Sequence, residues 1–207
     1  QVIKYLLGDL FAILLAWTLF FIYRKYSVSP NIHLNIQEAL ADLNLYIGWL
    51  VIIPYWIFLY AIYGAYRKIY RKARLTETIQ TFFVTFIGII PIFFVLILDD
   101  EVSSYTLYTK YAFVAFTLHF ISTAFMRFII TSNTAWKIHK KIIGFKTIIV
   151  GSDDNAVAIY KEIEGLRPSS GNLFVGYVNG SHGHDQLAAF LPSLGTYDKL
   201  KEVVQTH

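Results

Sequence analysis

The residues best suited to chemistry lie in two short stretches toward the C-terminal end. The first reads Gly151-Ser152-Asp153-Asp154-Asn155-Ala156. Where a strand passes into a helix, glycines let the backbone approach a pyrophosphate that rests on the helix N-terminus. Gly151, Ser152 and Ala156 are the candidate cofactor-binding residues of such a turn, with Ala156 at the third glycine position. Asp153 holds the second glycine position, and Asp154 follows it. Two carboxylates there repel phosphate and are suited to cap the free N–H groups themselves. The turn therefore reads first as self-capped and only second as a nucleotide site. The other stretch, Asn179-Gly180-Ser181-His182-Gly183-His184-Asp185, has no further ligand at a fixed spacing, so no metal site is expected. The chain has no cysteine, which removes disulfides, thiolate catalysis and cysteine metal sites. No Ser-His-Asp arrangement, phosphate loop or scaffolded carboxylate pair occurs elsewhere. No catalytic residue is expected within this chain.

Charged groups inside apolar runs are the remaining candidates. Asp9 lies about one turn into the first run and Arg127 near the end of the fourth. In a membrane an ionised group is costly unless it is paired or reaches the headgroups. An Asp9–Arg127 ion pair would lock the first run to the fourth; separate snorkelling is the alternative. His119 stands in an aromatic setting and reads as a packing residue, not a proton relay. Pro54 and Pro91 each follow Ile-Ile near the middle of a run. Proline removes a helical hydrogen bond and bends the helix, here more to fit helices together than to open a lipid-facing groove.

The elements that carry these residues follow from composition. Of 207 residues 56% are hydrophobic and only 15% charged, and mean hydropathy is +0.49. Lipid is the natural solvent for such a chain. Four runs, near residues 5–23, 45–66, 79–98 and 108–130, reach the roughly 20 residues that a bilayer crossing needs. The first is too long for a signal-peptide core and is followed by Arg24 and Lys25, so it reads as a retained span. Residues 67–74 hold five positive charges, Arg67, Lys68, Arg71, Lys72 and Arg74. The third loop holds Asp99, Asp100 and Glu101, and Lys137, Lys140 and Lys141 follow the fourth run. The positive-inside rule then places the second loop, the N-terminus and the C-terminal part in the cytoplasm of a bacterial-type inner membrane. Arg24 and Lys25 go mildly against that rule. The basic loop and the lysine cluster would lie on anionic headgroups. Residues 36–43 have helical spacing and form a short amphipathic helix or an extension of the second span.

Charge divides the chain. Residues 1–144 carry 13 basic and 7 acidic residues, and residues 145–207 carry 5 and 7. The basic excess thus belongs to the membrane part, where topology explains it better than nucleic-acid binding does. After a basic connector at 135–144, residues 146–151 and 172–178 read as strands and residues 153–165 and 196–205 as helices. This alternation predicts a parallel sheet with crossover helices. The expected architecture is an α-helical bundle of four transmembrane helices over residues 1–134, then a partial Rossmann-like α/β cytoplasmic domain over 145–207. Two strands cannot make a doubly wound sheet, so the domain reads as incomplete. A start at Gln1 likewise reads as the loss of a few residues.

The order of parts also carries a resemblance. Tyr63-Gly64-Ala65-Tyr66-Arg67 closes the second run, and the basic loop leads to Thr76-Glu77. Val150-Gly151, Val175-Gly176-Tyr177-Val178 and the stretch Leu191-Pro192-Ser193-Leu194-Gly195-Thr196-Tyr197-Asp198-Lys199-Leu200 follow. Together these resemble the polyprenyl-phosphate hexose-1-phosphate transferases, the bacterial sugar transferases, over nearly the whole chain. In that family such a front part is accessory. The resemblance implies a following catalytic domain with a re-entrant helix, an Asp-Glu dyad and a magnesium ion. That domain passes a sugar-1-phosphate from a nucleotide sugar to undecaprenyl phosphate, starting exopolysaccharide, capsule or O-antigen synthesis. Membrane-bound nucleotide-sugar dehydratases or epimerases of capsule synthesis share the same front end and are the alternative. A third reading is a non-enzymatic anchor or homo-oligomerisation module. The expected partners are membrane lipids, with undecaprenyl phosphate and a nucleotide sugar for the whole enzyme, and no nucleic acid. No cofactor is expected in this fragment itself.

Overall fold

The structure, a computed structural model, describes residues 2–28, 36–67, 74–97, 105–180 and 185–206. Among them are five helices, α1 (Val2–Val28), α2 (Ile36–Leu40), α3 (Leu43–Ile62), α4 (Arg74–Ile97) and α5 (Tyr105–His139), followed by an α/β part. The chain divides into two compact units, residues 1–132 and 133–207.

In the first unit α1, α3, α4 and α5 are each long and apolar enough to cross a membrane. Their packing follows from small residues facing large rings. A Cβ on Gly48 would stand 2.3 Å from Trp17 Nε1, and one on Gly88 would stand 2.4 Å from Trp56 Cζ3. The two glycines are notches in which the indoles of α1 and α3 rest. Trp56, fully buried, stacks on His119 of α5 at 3.7 Å between ring centroids. Tyr60, Tyr111, Ile13, Phe20 and Val84 complete this core.

Both internal prolines lie within continuous helices, Pro54 in α3 and Pro91 in α4. Proline leaves the carbonyl four residues earlier without its helical N–H. One residue on from that position, the Gly88 carbonyl accepts a hydrogen bond from the Tyr55 hydroxyl, so α3 braces α4 at its weakened turn. The stretch before α3 forms a separate short helix, α2, and Asp42 caps α3 by accepting from Asn44 N at 3.0 Å. The Asp42 carboxylate also meets Lys25 at 2.7 Å. That cation, together with the cap N–H, holds the Asp42 carboxyl below its ordinary value.

In the second unit β1 (Phe145–Val150), β2 (Asn172–Asn179) and β3 (Ser193–Thr196) form a parallel sheet in the order β1-β2-β3. Two helices join them, α6 (Asp154–Gly165) after β1 and α7 (Leu200–Thr206) after β3. Ile149, Ala156, Tyr177, Leu187 and Leu191 are the core, with Val157, Tyr160 and Phe174 packed against it. Two expectations are corrected here. The sheet has three strands, not two, because Gly176 lets the Leu191–Gly195 segment close on β2. A Cβ there would stand 2.6 Å from the Pro192 carbonyl, which accepts from Tyr177 N. The second helix begins at Leu200, after β3 and a single 3-10 turn (Tyr197–Lys199), and not at Thr196.

Candidate functional site

The strongest concentration of polar chemistry lies inside the helical unit. Two helices supply it at four-residue spacing, the repeat that keeps side chains on one helix face. On α5 the stripe is His119, Thr123, Arg127 and Thr131; on α4 it is Glu77, Thr81 and Thr85. All seven are buried. Helix α1 adds Tyr5 and Asp9, α3 adds Tyr60, and the turn after α3 adds Tyr66.

At the centre, Arg127 grips Asp9 with two parallel bonds. Nε donates to Oδ1 at 2.9 Å and Nη2 to Oδ2 at 2.8 Å. This is the fork geometry that suits a guanidinium to a carboxylate. Arg127 Nη1 also donates to Thr81 Oγ1 at 3.2 Å, and the guanidinium lies 4.2 Å from the Tyr60 ring centroid. The Tyr66 hydroxyl donates to Asp9 Oδ2 at 2.9 Å. Side-chain exposure is 2% for Arg127 and 0% for Asp9, so the two charged groups lie away from solvent, with the part-buried Tyr66 contact at their margin. Asp9 accepts three hydrogen bonds from the protein's own groups and serves as an internal counter-ion.

Two smaller groups flank the pair. On one side Tyr5, Glu77 and Thr131 converge. Tyr5 lies 3.1 Å from Glu77 Oε2 and 2.8 Å from Thr131 Oγ1, and Thr131 also meets that carboxylate oxygen, so two hydroxyl protons are shared among three contacts. On the other side the Tyr60 hydroxyl bonds His119 Nε2 at 2.7 Å. Beyond His119 lies a small apolar pocket whose lining includes Ala16, Trp17, Phe20, Ile52 and Ala115. His119 thus has a hydroxyl partner at its edge and an indole against its face.

The candidate nucleotide turn is built differently from a phosphate cradle. Asp153 caps α6, its carboxylate accepting from Ala156 N at 3.0 Å. Asp154 sits in the first turn, where a negative charge complements the helix dipole. The Ser152 hydroxyl donates to Asn179 Oδ1 at 2.6 Å, tying the ends of β1 and β2 together. Gly151 adopts φ +117°, a conformation that a side chain would strain. Nearby, Tyr177 is buried and donates to Asp185. Burial, and then the neighbouring carboxylate, push its hydroxyl pKa upward.

Of the basic loop, Arg67 and Arg74 are described and both are exposed. Arg74 lies 5.8 Å over the Phe128 ring. Lys68, Arg71 and Lys72 lie outside the described residues, as do Asp99, Asp100, Glu101, His182 and His184. Among the described residues no group of His, Asp or Glu is placed to hold a metal ion.

Tyr5, Tyr60, Thr81, Thr123 and Thr131 escape a reading that looks for charges and glycines. The signal that reveals them is the four-residue spacing of threonines on either side of Arg127 and after Glu77. Comparison with family models, curated proteins and solved structures finds no match for the chain.

Proposed function

We propose that the chain is the membrane-anchoring, accessory part of a polyprenyl-phosphate hexose-1-phosphate transferase. In this reading α1, α3, α4 and α5 span a bacterial inner membrane with both chain ends cytoplasmic. The second unit is then part of a Rossmann-like domain on that face. The observation that carries the anchoring role is the Arg127–Asp9 pair with its ring of internal partners. A site that acts on a ligand leaves donors or acceptors free for it, whereas here Asp9 takes three hydrogen bonds from two other elements of the bundle. Pairing of that kind favours one arrangement of helices over others, the best-attested use of buried charge. The transferase role rests on the motif resemblance and on the order of the parts.

The discriminating experiment incubates the full-length protein with nucleotide sugars, magnesium and undecaprenyl phosphate. Release of a nucleoside monophosphate together with a lipid-linked sugar phosphate is the expected outcome. A nucleotide sugar that loses water or changes configuration while keeping its nucleotide would assign the chain to a dehydratase or epimerase instead. Neither product would leave the anchor alone.

A further inference from the structure

The last turn of α5 and the residues just after it form a second polar surface that the buried column does not use. Along α5 the exposed side chains change in character toward the C-terminal end. Phe125, Phe128 and Ile129 are exposed and apolar, and then comes Trp136, 51% exposed. Lys137, half-buried, and Lys140, exposed, follow, and the Lys140 ammonium lies 5.4 Å from the Trp136 ring centroid. Ile142, just beyond, is 62% exposed. Hydrocarbon, then an indole, then ammonium groups is the gradient of a bilayer edge read from core to headgroup.

Charge gives the surface a sign. No Asp or Glu occurs between Glu101 and Asp153. Lys141 is different from its neighbours, because it forms an ion pair with Glu164. Lys137 and Lys140 therefore carry the outward charge, and Lys141 serves the fold of the second unit.

We propose that Trp136, Lys137, Lys140 and Ile142 form a binding patch for the phosphate headgroups of anionic phospholipids. The indole and Ile142 enter the interface, and the two ammonium groups bind the lipid phosphates. This rests on the reading of α5 as a membrane-spanning helix. The occupant is a lipid surface because the cationic end continues an exposed apolar helix face, which a soluble acidic protein has no means to cover.

The test uses the full chain in bilayer nanodiscs of phosphatidylcholine with or without phosphatidylglycerol, and native mass spectrometry of the lipids retained. Wild type is expected to retain phosphatidylglycerol in preference to phosphatidylcholine. Each surface lysine contributes about a fivefold preference, so K137Q/K140Q should lose roughly 25-fold. K141Q should retain phosphatidylglycerol as wild type does. Equal retention of the two lipids by wild type, undiminished retention by K137Q/K140Q, or an equal loss in K141Q would each overturn the proposal. Alkaline carbonate extraction of membranes separates the two levels of argument. Release of the protein there defeats the spanning reading and the patch with it; retention with no lipid preference defeats the patch alone.

Discussion

Arg127 and Asp9 are held in an arrangement where each is worth more to its partner than to the fold. Two desolvated charges recover through their mutual attraction roughly what burial cost them, so the pair as a whole adds little net stability. Removing one member leaves the other buried and uncompensated. Asp9→Asn or Arg127→Gln should each lower the unfolding free energy in detergent by about 3–5 kcal/mol. The double change Asp9→Leu with Arg127→Met should recover most of that loss, which a double-mutant thermal-melting cycle would show. Asp42 gives a contrasting surface case. Lys25 and the cap N–H hold its carboxyl below the ordinary 3.8, so the ion pair stabilises the fold above about pH 4. That contribution disappears as pH falls through the lowered folded value. Asp42→Asn keeps a side chain that can cap α3 but loses the ion pair, so it should lower the neutral limb of the melting curve slightly and leave the acid limb in place, flattening the pH dependence.

Element positions were legible in the sequence to very different degrees. The four long helices announce themselves by apolar length, a property that needs no partner to be read. The polar column does not, since threonine at four-residue spacing is common on any helix and only Arg127 and Asp9 look costly. Their pairing was one of two readings of these charges, and preferring it to separate snorkelling required knowing that α1 and α5 are neighbours, which lies in packing. Strand β3 was hidden for another reason. It is four residues long, follows Pro192 directly and contains Gly195, both of which argue against a strand on local grounds. The glycine notches belong to this scale too. Gly88→Ala sets a methyl against the Trp56 indole, and overpacking of this kind costs about 1–3 kcal/mol. Trp56 also stacks on His119, so the displacement should reach α5. A drop in melting temperature larger than that of Ala at an exposed position such as Leu50 is the expected result.

At the scale of the whole molecule, charge should govern the sidedness of a membrane-spanning chain. Reversing Arg67, Lys68, Arg71, Lys72 and Arg74 to glutamate removes the strongest retention signal in the chain. If the loop is topogenic, the α3–α4 connection should move to the opposite side. The native chain has no cysteine, so a single introduced cysteine reports its side to an impermeant maleimide without background. Unchanged labelling with loss of acceptor binding would instead give the loop a substrate role. The candidate nucleotide turn was partly legible at this level: the carboxylates at Asp153 and Asp154 already argued for a cap. The Ser152–Asn179 bond was not, because it joins residues from two strands.

The ion pair at the centre of the bundle also sets a timetable. Asp9 and Arg127 are 118 residues apart in the chain. A ribosome adding roughly 5–20 residues per second needs about 6–24 s to cover that interval. For all that time α1 exists with a carboxylate whose counter-ion has not been made. On the membrane-spanning reading, until α5 emerges α1 stays shallow enough for water to reach Asp9, or is held by the insertion machinery. Synthesis of α5 thus releases α1 to its final depth, and a nascent chain halted before Arg127 should leave Asp9 open to solvent.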